Sequence, residues 1–126
     1  MLKEATVMAV DLMGFNKRTQ TEDPCMTARF LCQYYRSVGE SAASRGWRFV
    51  KGIGDCILLE AQGTVEPEVI HHFFKEVSAE YPIAMLYRTC KFVQQQIDIN
   101  GYSCLDIVGK DICNLFLRDD YTTKIG

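Results

Sequence analysis

Read from the N-terminus, the apolar positions form one almost continuous run before they become periodic. The run "ATVMAVDLMGF", residues 5–15, is short, rich in β-branched residues and almost continuously apolar. That pattern predicts a central strand covered on both faces, ending near Asp11. In "TEDPCMTARFLCQYYRSVGESAASRGW", Met26, Phe30, Leu31, Tyr34 and Val38 recur at helical spacing, with Asp23 as N-cap, Pro24 at the first helical position and Gly46 as the stop. "WRFVK" and "CILLEA" flank the turn "GIGD" at 52–55, the pattern of two antiparallel strands joined by a tight glycine turn. A second helix is predicted over "PEVIHHFFKEVSAEY", with Pro67 near its start. Strands follow over "IAMLYRT" and "KFVQQQIDI", the latter polar at alternate positions, and a short last helix over "GKDICNLFLRDDY".

The order strand, helix, strand, strand, helix, strand, then an extra strand and helix, predicts an α/β (α+β) fold. Its core follows the ferredoxin-like or polymerase-palm plan, a mainly antiparallel sheet with helices packed on it. At 126 residues the chain makes one domain, residues 1–126. In this plan the first and third strands are antiparallel neighbours, so Asp11 at the end of one should meet Asp55 at the start of the other.

Charge and composition narrow the partners. With 14 basic against 16 acidic residues the net charge is −2, which offers no basic field for nucleic acid or for an anionic membrane. The N-terminal apolar run is too short for a signal peptide, and no 18-residue apolar stretch exists, so a cytoplasmic location is expected. Six cysteines, Cys25, Cys32, Cys56, Cys90, Cys104 and Cys113, are scattered through apolar segments without a CxxC pair, the pattern of buried, reduced thiols. His71 and His72 are adjacent on a predicted helix and so face different ways, a poor arrangement for a metal pair.

Two carboxylates at adjacent strand ends, with glycine keeping the neighbouring backbone low, make a hard-oxygen site suited to magnesium carrying a nucleoside triphosphate. Taken alone, GIGD is an ordinary hairpin turn, since Gly and Asp are favoured there anyway. Its pairing with Asp11 is what points to chemistry.

Three blocks in order extend this reading: "DLMGF" at 11–15, "KGIGD" at 51–55 and "DIVGKDICNLFLR" at 106–118. Together they resemble the class III nucleotidyl cyclase catalytic domain, whose motifs are Asp followed four residues later by Phe, a Lys-x-x-Gly-Asp hairpin, and a late Asp-x-x-Gly-x-x-x-x-Asn-x-x-x-Arg. The resemblance implies that Asp11 and Asp55 hold two Mg2+ or Mn2+ ions and that Lys51 with Asp106 reads the purine edge. Lys with Asp is the adenine-selective combination: Lys donates to N1 and Asp accepts from the exocyclic amino group. It further implies that Asn114 orients the ribose and that Arg118, one helical turn later on the same face of the last helix, neutralises charge on the phosphates. The chain departs from the family at Ala9, where Phe is usual, and at "YRTCKF", where a Gly-rich strand end is usual. Family domains also continue past the arginine with strands bearing a triphosphate-binding lysine, and Lys124 follows Arg118 too soon to match it.

Each position has an ordinary alternative: Lys51 as a solvated strand residue, Asp106 as a cap for the next helix, Asn114 as a polar helix position, Arg118 as a surface ion-pair partner. The reading carried forward is an adenylate cyclase-like domain converting ATP to 3′,5′-cyclic AMP and pyrophosphate, with two divalent ions at a homodimer interface. The main alternative is a catalytically weak or inactive cyclase-like module that binds nucleotide and regulates. A palm-type diguanylate cyclase or polymerase relative would share the two carboxylates, but no GGDEF-like turn is present.

Overall fold

The computed structural model describes all residues 1–126, and in it most of the apolar run lies in β1 (Leu2–Leu12). The elements that follow are α1 (Phe15–Thr21), α2 (Pro24–Ala43), β2 (Arg48–Ile53), β3 (Cys56–Gln62), α3 (Pro67–Ser78), β4 (Ile83–Ile99), β5 (Tyr102–Val108), α4 (Lys110–Phe116) and β6 (Thr123–Ile125). The sheet runs β2-β3-β1-β4-β5 and every strand pair in it is antiparallel. The ferredoxin-like core and its helix-covered sheet are therefore present as predicted. No helix is long and apolar enough to cross a membrane.

β1 shows why residues 5–10 are almost continuously apolar. Successive strand side chains point to opposite faces. Met8, Val10 and Leu12 join a core with Tyr34, Val38 and Ala42 of α2 and Ile70, Phe73 and Val77 of α3. Ala5, Val7 and Ala9 join a second core with Leu58, Leu86, Phe92, Ile107 and, from α4, Ile112 and Leu115. Residues 5–10 of this strand are all buried.

Four local expectations are corrected. The segments predicted as two strands, "IAMLYRT" and "KFVQQQIDI", form one 17-residue strand, β4. Its inner edge pairs with β1 from Ile83 to Val93, while its outer edge is shared between β6 at Met85–Tyr87 and β5 at Val93–Ile99. The extra strand is thus β5, which was not anticipated; nor were the short helix α1 and the strand β6. The last helix stops at Phe116, and Arg118 lies beyond its C-cap in the left-handed region at φ 57°, not on the same helical face as Asn114. Of the cysteines, Cys90 and Cys104 are buried and Cys56 half-buried, but Cys25, Cys32 and Cys113 are exposed on the outward faces of α2 and α4; all six are free thiols.

The β2–β3 hairpin is shaped by two features. A bulge between Phe49 and Lys51 leaves Val50 as an extra residue, so Phe49 stays opposite Leu59 while Lys51 comes opposite Leu58. Gly52 lies directly against the Tyr35 ring, where any Cβ would overlap it. Gly52→Ala should therefore lower stability by about 1–3 kcal/mol, read from the urea unfolding midpoint. In a Tyr35→Ala background the same change should cost clearly less; an equal cost in both backgrounds would mean that the ring is not what excludes a side chain there.

Candidate active site

Asp11 is the last residue but one of β1, half-buried and directly opposite Cys56 in the β1–β3 register. Asp55 precedes Cys56, and its main-chain carbonyl accepts the Leu12 N–H at 3.1 Å. The two carboxylate-bearing residues therefore meet at one end of the sheet, as the strand order requires. The Cys56 thiol between them is pushed up to about 12 by burial first, then by the charge and contact of Asp11 and the charge of Asp55. It stays a neutral thiol beside two carboxylates.

Two successive tyrosines of α2 support this end of the sheet. The buried Tyr34 hydroxyl donates to the carbonyl of Val10 at 3.1 Å, and the Tyr35 hydroxyl donates to the carbonyl of Gly54. Each thus holds the peptide immediately before one of the two aspartates. Burial raises both phenol pKa values, reinforced by the nearby Cys56 and Asp55, and for Tyr34 also by Asp11. Both remain protonated and able to donate. Helical periodicity marks Tyr34 as a core residue; its neighbour Tyr35 falls off that stripe, and nothing in the local pattern signals its bond to the hairpin.

Lys51 and Asp106 lie on β2 and β5, the two ends of the sheet path, yet Lys51 Nζ and Asp106 Oδ2 are 2.9 Å apart. The β4–β5 hairpin curls over one face of the sheet far enough for the Cys104 thiol to donate to the Val50 carbonyl at 3.5 Å. Asp106 is a strand residue, with Oδ1 accepting the Ile107 N–H at 2.8 Å. It caps no helix: the N-cap of α4 is Gly109, with no side-chain cap. Lys51 is likewise ion-paired and part-buried, not a free solvated side chain.

Asn114 is half-buried on α4 and its side-chain amide makes no hydrogen bond within the chain, while its carbonyl accepts from the Asp119 N–H at 3.2 Å and the Thr122 hydroxyl at 3.5 Å. Arg118 is exposed and takes part in no ion pair, so the surface-pair alternative does not hold in this chain. The structure thus gathers the six residues as Asp11 with Asp55, Lys51 with Asp106, and Asn114 and Arg118 on the α4 segment. A charged residue that sequence patterning passed over, Arg88, lies buried on β4 beneath that segment. Its signal is the charge itself, placed inside an otherwise apolar strand run.

No group of three or more His, Cys, Asp or Glu side chains converges anywhere in the chain. Two hard carboxylates still suit magnesium or manganese, which commonly take one or two carboxylates and complete their shells with water and phosphate oxygens. None of the principal surface hollows, about 240 to 460 Å3 in volume, is lined by any of the six residues.

No protein-family model and no curated protein matches the sequence. Solved structures do. The adenylyl cyclase CyaB from P. aeruginosa superimposes with a TM-score of 0.72 at 14% identity, covering 98% of this chain and 74% of that one. The guanylate cyclase domain of RhGC from Catenaria anguillulae, in complex with GTP, gives 0.78 at 13% identity, covering 98% and 76%. The catalytic core of a rhodopsin-guanylyl cyclase with converted specificity, in complex with ATPαS, gives 0.79 at 14% identity, covering 98% and 76%. At these identities the likeness is one of architecture, and by it the chain has the fold of the class III adenylyl and guanylyl cyclase catalytic domains.

Proposed function

We propose that the chain is a nucleotide cyclase domain that converts ATP to 3′,5′-cyclic AMP and pyrophosphate at sites shared between two copies. The observation that carries this reading is the meeting of Asp11 and Asp55 at one end of a cyclase-fold sheet. In the reaction, a bond forms between the ribose 3′ oxygen and the α-phosphorus, the bond from that phosphorus to the bridging oxygen breaks, pyrophosphate leaves, and the 3′ hydroxyl proton passes to solvent or to the departing pyrophosphate.

Two Mg2+ or Mn2+ ions held by Asp11 and Asp55 would acidify the 3′ hydroxyl and offset the charge of the triphosphate. Lys51 donates to adenine N1 and Asp106 accepts from the 6-amino group, a pattern that guanine does not match. Their 2.9 Å ion pair stands ready to be exchanged for the base edge. Asn114, whose amide has no partner within the chain, is free to bind the ribose. The exposed Arg118 faces the charge that develops on the phosphates. The alternative, a nucleotide-binding regulatory module, is favoured by one observation: Arg118 leaves the helix and adopts a left-handed conformation.

Incubating the pure protein with manganese and ATP should yield cyclic AMP. Asp11→Asn and Asp55→Asn should each lower turnover at least about a hundredfold, roughly 2.7 kcal/mol of transition-state stabilisation. The thermal midpoint should be nearly unchanged, because neither residue fills core volume. Full metal-dependent activity in either variant would remove the proposed site.

Base choice is tested separately. Replacing Lys51→Glu together with Asp106→Ser should shift the ratio of kcat/KM values toward GTP, since donor and acceptor are reversed. Equal use of ATP and GTP by the wild type would sink the assignment of this pair.

A shared site in which Asp11 and Asp55 of one chain face Lys51, Asp106, Asn114 and Arg118 of the other also predicts complementation. Asp11→Asn and Arg118→Ala should each be nearly inactive, but a mixed dimer places both lesions in one site and leaves the other whole. After random subunit exchange, activity should recover to about a quarter of wild type by two-fold symmetry. No gain over the separate variants after proven exchange would count against a site between chains.

A further inference from the structure

Arg88 is 8% exposed in the middle of β4, one of only four buried polar or charged residues. Its guanidinium spans two carboxylates. Nη1 lies 3.1 Å from Asp111 Oδ1 and donates to the Asp111 carbonyl at 3.0 Å, while Nη2 lies 3.4 Å from Asp119 Oδ2. The Tyr121 ring centroid is 5.4 Å from the guanidinium carbon, and the Nε is buried with no partner. Both acids are themselves held. Asp111 Oδ2 accepts the Lys91 N–H at 2.8 Å, and Asp119 Oδ1 accepts the Tyr121 N–H at 3.1 Å and the Thr122 hydroxyl at 3.0 Å.

The two acids bracket α4: Asp111 is in its first turn and Asp119 lies just past its end. This helix has seven residues and no side-chain N-cap, so it is too short to hold itself. Ile112 and Leu115 bury its apolar stripe but leave its two ends to be placed by something else. Asp119 also donates its N–H to the Asn114 carbonyl, closing the turn that carries Arg118 at φ 57°. A buried ion cluster of this kind contributes little net stability, because desolvation offsets attraction; what it can specify is arrangement.

We propose that Arg88 is a positioning residue: by clamping both ends of α4 it sets where the Asn114 amide and the Arg118 guanidinium stand relative to Lys51 and Asp106. Its effect on turnover rests on the cyclase reading above; its effect on the α4 segment does not.

The test compares Arg88→Met, Arg88→Lys and Asp119→Asn in the full chain, by steady-state kinetics with manganese and ATP and by amide hydrogen exchange. Arg88→Met should lower kcat at least tenfold while KM for ATP stays within about twofold. Exchange should accelerate across residues 110–122 with the β1 amides still protected. Arg88→Lys should recover part of both effects, since an ammonium can serve one of the two acids. If Arg88→Met does not fold, Asp119→Asn decides, and should accelerate exchange mainly in residues 117–122 and lower kcat in the same sense. Folded variants with unchanged kcat, or with exchange raised evenly throughout the sheet, overturn the proposal. A wild type that makes no cyclic nucleotide would defeat the cyclase reading alone, and the exchange pattern would then decide on Arg88.

Discussion

The antiparallel embrace of β1 by β3 on one side and β4 on the other is the constraint from which the rest of the structure follows. Because both its edges are paired and both its faces are covered, β1 has no freedom to slip: a shift of one residue would turn Met8 and Val10 away from the helices and into the opposite core. That fixed register carries Asp11 past the buried Val10–Ile57 pair to a point opposite Cys56, where a carboxylate can be half-exposed at the sheet end. The same register sets the β2–β3 hairpin, and with it Lys51 and Asp55.

The two faces of the sheet have different chemistry. The side packed by α2 and α3 is nearly all apolar. By strand alternation, the other side carries Asp11, Lys51, Glu60 and Arg88 along with its smaller apolar core. There Glu60 is buried between Arg48, at 2.8 Å, and the amide of Gln94, and Arg88 lies between Asp111 and Asp119. The helical layer stabilises, and the curled β4–β5 hairpin with α4 arranges charge. The tyrosine pair on α2 joins the layers, since Tyr34 crosses the apolar core to bond the peptide before Asp11.

How much was legible in the sequence depended on the range of the interactions. The first strand, α2, the glycine hairpin and α3 are specified by local patterns, and the meeting of Asp11 and Asp55 follows from strand order alone. What the pattern misread depended on distant partners. Arg88 and Lys91 interrupt the apolar run of β4 and look like a boundary between two strands; the Lys91 side chain is exposed, and the Arg88 charge is met by Asp111, more than 20 residues later, at a separation no periodicity can register. The end of α4 carries no glycine or proline, because its stop is imposed by the Asp119 and Thr122 bonds to the Asn114 carbonyl. The Lys51–Asp106 contact required β5 to curl onto β2, which two edge strands of an open sheet do not do by default.

The pairing of β1 with β4 has a kinetic side. Leu2 is opposite Val93, and β4 in turn is the strand on which β5 and β6 form. Contacts so distant in sequence must close a long loop before they return any energy, which slows folding relative to a helical bundle of similar size. As the chain leaves the ribosome, β1 can meet β3 early, but its other edge and half of each core stay open until β4 has emerged. Until then a strand whose residues 5–10 are all buried in the finished fold is an uncovered edge, and the interval before β4 arrives is when the chain is most exposed to association with its neighbours.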